Sequence, residues 1–203
     1  MSTREEIRTG RRVRNGRVQV LVPADEPEKL TDTWRTPAWL VVELELRAGR
    51  SFDLDAAATA ENSVAPFHID RARDALNERP WSCYGPASVM GGRLSLGRTA
   101  IFCNPPFSKL GAFVRRCIDE VLLDGHTIAL ITLADISTAY WRLLERPPDG
   151  VDIERVRIRG RWSCDPPPGV SVSQPTRPMA AWILRPEVVP PKRARVKLAE
   201  LDR

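Results

Sequence analysis

The sequence predicts an α/β fold with a mostly parallel sheet and an antiparallel strand near the C-terminus. The first observation is an apolar strand over 99–103 that leads into an amphipathic helix. The second is an apolar strand over 126–132 that also precedes a helix, and alternation of strands and helices is typical of α/β domains. The third is that the strand over 126–132 shows no alternation with polar residues, as in strands covered on both faces of a parallel sheet.

The first predicted elements are a helix over 37–48 and a strand over 51–55. Thr36-Pro37 is a favourable helix start, because threonine can cap free backbone N–H groups and proline at the first helical position gives up a donor that lacks a partner anyway. Residues 51–55 alternate apolar and polar and run into the small residues of 56–59, which is typical of a strand that feeds a loop.

The clearest predicted helix follows the strand over 99–103. Its apolar side chains share one face at i, i+3, i+4 and i+7 spacing: Leu110, Phe113, Val114, Cys117, Ile118, Val121 and Leu122. Gly125 is expected to end this helix in the left-handed conformation. Residues 137–145 predict another helix, and 152–159 and 178–185 predict two strands that pair antiparallel at one side of the sheet.

Composition restricts the class of protein. The 203 residues are 42% hydrophobic and 28% charged, as in soluble globular domains. No apolar run approaches the about 18 residues of a membrane span, and the first residues, MSTREEIRTGRR, lack the apolar core of a signal peptide. We therefore expect a cytoplasmic protein that does not contact a membrane.

The cysteines and histidines do not form a recognisable metal or disulfide framework. No CxxC pair occurs among the four cysteines, which are Cys83, Cys103, Cys117 and Cys164. Only His68 and His126 are available to join them. We therefore expect no metal site and assign neither histidine a role.

Charge and proline content suggest three segments. The net charge of +5 and a pI near 9.4 permit a polyanionic partner. Residues 1–33 contain six arginines but few large apolar groups, and they predict a mobile basic arm. Residues 187–203 predict a C-terminal tail, so the folded domain is expected to span 34–186.

Asn104-Pro105-Pro106-Phe107 lies where the strand over 99–103 ends and a helix begins. Ligands bind at such strand ends in open α/β sheets, although a bare Pro-Pro pair would predict only a rigid turn. Methyl transfer to an aromatic amino group requires acceptors for both N–H bonds, because the nitrogen lone pair is delocalised into the ring. The Asn104 side-chain oxygen and the Pro105 carbonyl can supply them, since Pro106 holds Pro105 extended. Phe107 then offers a face on which a base can stack.

Five ordered motifs resemble those of the phage-encoded DNA N6-adenine methyltransferases, which belong to the amino-methyltransferases with an (Asp/Asn/Ser)-Pro-Pro-(Tyr/Phe/Trp) motif. They are Trp34-x-Thr36-Pro37, Phe52-x-Leu54-Asp55-x-Ala57-Ala58, Asp74-Ala75-Leu76 followed by Trp81, Cys103-Asn104-Pro105-Pro106-Phe107-Ser108, and Ile158-x-Gly160-Arg161. The resemblance covers about 31–186. It implies a Rossmann-like methyltransferase fold, S-adenosylmethionine as cofactor, and methyl transfer to the N6 amino group of adenine in DNA.

The resemblance assigns the catalytic role to Asn104, Pro105, Pro106 and Phe107, and it implies a cofactor site at the end of the strand over 51–55. Asp55 is expected at the amino-acid end of S-adenosylmethionine, with a strand-end cap as the alternative. Asp53 either assists or is a solvated edge carboxylate. Asp74 follows Asp55 by about 20 residues, the offset of a ribose-binding acid, and is expected at the ribose or the adenine.

Trp34, Thr36 and Pro37 match the element that borders the methionine end, with a helix cap and a core tryptophan as the alternative. The loop after Asp55 lacks the glycines of many methyltransferases, so close backbone approach to the ligand is less expected there. The glycine-rich interval 82–98 is longer than expected, and its role stays open. A phage or prophage gene would place the enzyme in the cytoplasm of a bacterial host.

The implied partner is DNA, and a target base in duplex DNA must be flipped out of the stack. The arginines of 1–33, together with Arg155, Arg157, Arg159 and Arg161, are candidate phosphate contacts. Two alternatives stay open. One is methyl transfer to a protein glutamine, a cytosine N4 or an RNA amino group, and the other is a DNA-binding accessory protein without turnover on the same fold.

Overall fold

The computed structural model describes residues 11–14, 17–20, 35–86, 99–158, 162, 164–165 and 178–188. In these ranges the α-helices are α1 (Ala38–Ala48), α2 (Leu110–Asp124) and α3 (Ala139–Glu145), with 3₁₀ helices at Trp81–Tyr84 and Phe107–Lys109. The strands are β1 (Arg11–Arg14), β2 (Arg17–Val20), β3 (Leu54–Asp55), β4 (Phe67–His68), β5 (Ala100–Cys103), β6 (Thr127–Leu133), β7 (Val151–Val156) and β8 (Met179–Pro186).

Six strands form one sheet in the order β4-β3-β5-β6-β8-β7. The first four of these are mutually parallel, and β8 runs antiparallel to both β6 and β7. The predicted α/β fold with a mostly parallel sheet and an antiparallel strand near the C-terminus is confirmed. The antiparallel pairing of the last two strands at one side of the sheet is confirmed as well.

Helices cover both faces of the sheet. On one face, Leu130 of β6 belongs to the same buried cluster as Val114 of α2 and Trp141 of α3. On the other face, Ala129 of β6 shares a cluster with Leu40 of α1. Burial on both faces explains why β6 has no polar alternation in its sequence.

The antiparallel strand β8 is fixed to β6 by side chains as well as by the backbone. The Trp182 indole Nε1 donates to Thr132 Oγ1 at 2.9 Å, which satisfies a polar pair inside the core. The Trp182 ring also meets Trp141 edge to face, with 4.9 Å between ring centroids. This arrangement of the rings is favourable for aromatic pairs.

Several local predictions were wrong. Thr36 does not cap α1, because Pro37 occupies the N-cap position and no side chain caps the helix. The strand predicted over 51–55 is confined to β3, and its two-residue neighbour β4 was not among the predicted strands of the sheet. Leu122, predicted to lie on the buried face of α2, is 44% exposed, whereas Glu120 is buried.

The basic segment 1–33 contains an antiparallel hairpin that the sequence analysis did not predict. Strand β1 pairs with β2, with Arg11 opposite Val20 and Arg14 opposite Arg17. The Asn-Gly dipeptide between the two strands is a hairpin signal that could have revealed the pairing. In the described part of the chain, no helix has the length and apolar character needed to cross a membrane.

Candidate active site

A cleft opens at the carboxyl ends of the adjacent parallel strands β3 and β5, the edge at which ligands bind in open α/β sheets. Its walls come from the residues before α1, the end of β3 with its loop, and the end of β5. The lining residues are Arg35, Thr36, Asp55, Ala57, Ala58, Asn62, Val64, Phe102 and Asn104. The cleft therefore brings together Thr36, Asp55 and Asn104, three of the predicted site residues.

Asp55 ends β3 and is 2% exposed. Its Oδ1 accepts the backbone N–H of Ala57, and its Oδ2 accepts the backbone N–H of Val64, both at 3.2 Å. These bonds hold the loop against the strand end. Asp55 thus forms the strand-end cap that the sequence left open, and it lines the cleft as well.

Burial raises the pKa of the Asp55 carboxyl to about 7, against the opposing effect of the N–H groups of Val64 and Ala57. Removal from water disfavours the charged form of a carboxyl group, whereas a nearby positive charge favours it. A cationic group bound in the cleft would therefore stabilise the ionised carboxylate. The part of the cleft next to Asp55 therefore suits a positively charged group, and Arg35 lines the cleft as well.

Asn104 follows β5 directly and is held at its amide nitrogen. Nδ2 donates to Thr36 Oγ1 at 3.1 Å and to Cys164 Sγ at 3.7 Å. Because the amide group is planar, holding Nδ2 from two sides also fixes the direction of Oδ1. The side chain is therefore oriented before any substrate arrives.

A backbone bridge brings these partners to Asn104. Arg35 N–H donates to the Asp165 carbonyl at 2.8 Å, and the Asp165 N–H donates back to Arg35. Cys164, next to this bridge, is 3% exposed, and burial raises the pKa of its thiol to about 11. Cys164 is therefore a neutral thiol near pH 7. Its role could not be predicted from the sequence, because only the folded chain brings Cys164 to Asn104.

The rest of the Asn-Pro-Pro-Phe motif forms the turn into α2. Pro105 is buried, while Pro106 and Phe107 are half-buried. The Pro106 carbonyl accepts the N–H of Lys109 at 2.9 Å, which closes the 3₁₀ turn. In the described part of the chain, no donor is hydrogen-bonded to the Pro105 carbonyl.

Asp53 does not join the cleft. Its Oδ2 accepts the backbone N–H of Ala100 at 3.0 Å and pairs with the Arg50 guanidinium at 3.0 Å. Asp53 precedes β3, so it lies toward the amino end of the strand, whereas the cleft is at the carboxyl end. Its observed contacts connect β3 with the start of β5.

Two further predicted cofactor residues, Asp74 and Pro37, also lie outside the cleft lining. Asp74 is exposed, has a positive φ of 48°, and accepts the backbone N–H of Leu76 at 3.1 Å. Pro37 is buried at the start of α1. Trp34 is outside the described residues, so its predicted role stays a prediction.

A second carboxylate at the same sheet edge was missed. Asp70 follows β4, which lies beside β3, and its Oδ1 accepts the backbone N–H of Arg73 at 2.9 Å. A carboxylate directly after the apolar FHI run is the signal that could have identified it. Asp70 was not among the predicted site residues.

The predicted phosphate contacts are only partly described. The Arg155 guanidinium carbon lies 4.8 Å from the centroid of the Trp141 ring and 5.8 Å from that of the Trp182 ring, so Arg155 also packs against these two side chains. Arg157 is exposed. Arg159, Arg161 and residues 87–98 of the glycine-rich interval lie outside the described residues.

Comparisons with known proteins gave a family match and a related phage protein. The family model described as DNA N-6-adenine-methyltransferase (Dam) matches residues 23–161, which is more than half of the chain. A DNA N-6-adenine-methyltransferase of Escherichia phage T1 is 30% identical over 115 residues, which cover 57% of this chain and 41% of the phage protein. The similarity thus spans less than half the length of that relative. No solved structure matches the chain.

Proposed function

The chain belongs to the DNA N-6-adenine-methyltransferase (Dam) family, and on this premise we propose that it transfers a methyl group from S-adenosylmethionine to the exocyclic N6 amino group of adenine in DNA. The observation that carries the proposal is that Asn104, the first residue of the Asn-Pro-Pro-Phe motif, shares one cleft with the buried carboxyl of Asp55. In this proposal Asn104 accepts a hydrogen bond from the target amino group, and Asp55 binds the cofactor.

We take the fold to be a Rossmann-like methyltransferase fold. Two features support this assignment. The four parallel strands have their cleft at the carboxyl edge, as in doubly wound folds. The antiparallel strand β8 lies between β6 and β7, so the sheet is mostly parallel with an antiparallel strand near the C-terminus.

The residues of the cleft fit S-adenosylmethionine. When bound, this cofactor supplies a methyl group activated on a positively charged sulfur. Burial raises the pKa of the Asp55 carboxyl, and a nearby positive charge would stabilise its ionised form. Ala57 and Ala58 line the same wall, and their small side chains leave room for a ligand beside the loop.

We assign the amino-acid end of the cofactor to Asp55 and to the segment around Thr36. Asp70 and Asp74, which follow β4, are candidates for its ribose or adenine. Trp34 and Pro37 retain their predicted place near the methionine end. Asp53 is left out, because Arg50 and the backbone of Ala100 account for its position.

Asn104 and Pro105 supply the acceptors for the two N–H bonds of the target amino group. Thr36 and Cys164 hold the Asn104 amide from its nitrogen side, and in this proposal its Oδ1 accepts a hydrogen bond from the target amino group. The Pro105 carbonyl is the second acceptor. Groups oriented toward developing charge contribute on the order of 3 kcal/mol each to transition-state stabilisation.

Phe107 provides a stacking surface for a base that has been flipped out of the helix, worth about 1–3 kcal/mol. After methyl transfer, the protonated amino group can release its proton to solvent. The arginines of 1–33 and the exposed Arg157 are proposed to contact DNA phosphates.

Family membership favours adenine in DNA over a protein glutamine, a cytosine N4 or an RNA amino group as the acceptor. The test is incubation of the purified protein with labelled S-adenosylmethionine and unmethylated DNA, followed by digestion to nucleosides. We expect label in N6-methyladenine. Label in another nucleoside, or in protein only, would refute the assigned substrate, and absence of label with cofactor bound would favour the accessory protein.

A further inference from the structure

Three ligand-bearing side chains meet at the amino end of β6, at the opposite edge of the sheet from the cleft. They are Glu120 within α2, Asp124 at its last residue, and His126 immediately before β6. One ligand atom from each lies within 4.8 Å of the others. Gly125 separates Asp124 from His126 with a φ of 71°, a conformation that turns the chain sharply after the helix.

The buried members of this cluster have unpaired polar atoms. Glu120 is 2% exposed and His126 is 3% exposed. Among the described residues, Glu120 Oε2 and both ring nitrogens of His126 have no hydrogen-bond partner. Buried polar atoms without a partner are rare in folded proteins, and each one requires an explanation.

The spacing of two of these atoms indicates what could pair them. Glu120 Oε2 and His126 Nε2 are 3.7 Å apart, too far for a hydrogen bond. A zinc ion bound about 2.0–2.2 Å from each ligand atom would separate two tetrahedral ligands by about 3.4 Å. The two side chains would thus have to move by only a few tenths of an ångström.

We propose that Glu120, Asp124 and His126 form a binding site for a divalent zinc-type cation. His126 offers an imidazole nitrogen that has no hydrogen-bond partner among the described residues, and a neutral imidazole is a common metal ligand. Asp124 is exposed and provides the side from which an ion enters and a water ligand can complete the coordination. An imidazole ligand favours zinc over magnesium and calcium, which prefer oxygen ligands.

The second oxygen of Glu120 orients this carboxylate. Glu120 Oε1 accepts the backbone N–H of Trp81 at 3.0 Å and pairs with the Arg116 guanidinium. Such outer contacts hold metal ligands in position in known sites. Because Trp81 begins a 3₁₀ helix, the ion would connect that helix, the end of α2 and the start of β6.

The proposed role is structural and does not depend on the proposed methyl transfer. It departs from the expectation that this chain has no metal site, which was based on the absence of clustered cysteines and histidines in the sequence. Two carboxylates and one histidine spread over Glu120–His126 are a weak sequence signal. Only the folded chain shows that their ligand atoms converge.

The test uses the full-length protein, stripped with a chelator and then freed of it. Thermal melting is followed while zinc is added, with magnesium and calcium as comparisons, and isothermal titration calorimetry gives the affinity. Asp124→Asn is the informative variant, because Asp124 is exposed and its replacement leaves the core unchanged. Asp119→Asn, an exposed carboxylate on the same helix, is the matched control.

We expect zinc to raise the melting temperature of the wild-type protein and of Asp119→Asn, with one ion bound per chain at this site. Asp124→Asn should bind zinc at least about tenfold more weakly, since even outer-contact mutations cost about 10–100-fold in metal affinity. Magnesium and calcium should cause no comparable shift. Equal zinc affinity of Asp124→Asn and wild type, or no zinc-induced shift, would overturn the proposal.

Discussion

Replacement of Asp55 by asparagine should flatten the dependence of folding stability on pH. Burial raises the pKa of Asp55 from 3.8 to about 7. Because the folded pKa lies above the unfolded pKa, the stabilisation is fully present below about pH 4 and is lost as the pH rises through about 7. Asparagine mimics the protonated side chain at every pH, so the variant should not show this loss.

The magnitude follows from the size of the shift. One pKa unit corresponds to about 1.4 kcal/mol, so a shift from 3.8 to about 7 amounts to roughly 4 kcal/mol over the whole range. Between about pH 5 and about pH 8 the expected loss is roughly 3 kcal/mol. Asparagine also turns an NH₂ group toward the N–H of Ala57 or Val64, at a cost of about 1–3 kcal/mol that does not vary with pH.

Urea unfolding of wild type and Asp55→Asn across this pH range measures the difference. The free energy of unfolding of wild type should fall relative to the variant by roughly 3 kcal/mol between about pH 5 and about pH 8. If the two curves stay parallel, Asp55 does not titrate in this range. The description of the cleft as a site for a cationic group would then lose its electrostatic basis.

The same titration predicts how cofactor binding depends on pH. A cationic ligand lowers the pKa of Asp55, so wild-type affinity for S-adenosylmethionine should be up to about tenfold weaker at about pH 6 than at about pH 8. Asp55→Asn should bind more weakly and lack this dependence. Both proteins experience the ligand's own titration equally, so their ratio isolates Asp55. Asp53→Asn, outside the cleft, should retain the wild-type affinity and its pH dependence.

Further variants at Cys164, at Phe107 and in the segment 1–30 test the other assignments. Cys164→Ala should lower kcat by up to about tenfold without changing cofactor affinity. Cys164→Ser should restore kcat, because a hydroxyl can again accept a hydrogen bond from Asn104 Nδ2. An unchanged kcat in the alanine variant would show that Cys164 does not position Asn104. Phe107→Tyr should retain methyl transfer and Phe107→Leu should lose it, since stacking needs an aromatic face. Full activity of the leucine variant in the transfer assay would show that Phe107 only packs against its neighbours. Deletion of 1–30 should flatten the slope of log DNA affinity against log salt concentration. The expected change is about 0.9 per lost phosphate contact on duplex DNA and about 0.7 on single strands. Identical slopes in binding isotherms of the two proteins would place all phosphate contacts outside this segment.

The long elements of this fold could be predicted because their burial leaves a recognisable apolar pattern in the sequence. The apolar stripe of α2 follows from its contact with one core cluster, and the continuous apolar run of β6 follows from its contact with both. The two-residue strands β3 and β4 are too short to show a period, so β4 was missed. The edges of the α2 stripe were also ambiguous, since Glu120 and Leu122 both border it. Glu120 is the buried one, and it accepts the backbone N–H of Trp81, a contact that the periodicity of the helix does not show.

The candidate site was predictable where its residues follow strands and not where it depends on distant contacts. Asn104 and Asp55 each end a strand, and parallel neighbours bring such ends together. Cys164 reaches Asn104 through the bridge between Arg35 and Asp165, which joins segments far apart in the chain. Neither periodicity nor spacing carries information on such a bridge.

The most direct test of the central claim compares wild type with Asn104→Ala in one experiment. Labelled S-adenosylmethionine and unmethylated DNA give the rate of N6-methyladenine formation, and calorimetry gives the cofactor affinity of each protein. We predict that wild type forms N6-methyladenine and that the variant loses about 100-fold or more in kcat, as for loss of a transition-state hydrogen-bonding group. Its affinity for S-adenosylmethionine should stay close to that of wild type. Transfer by the variant at a rate near that of wild type would contradict the account.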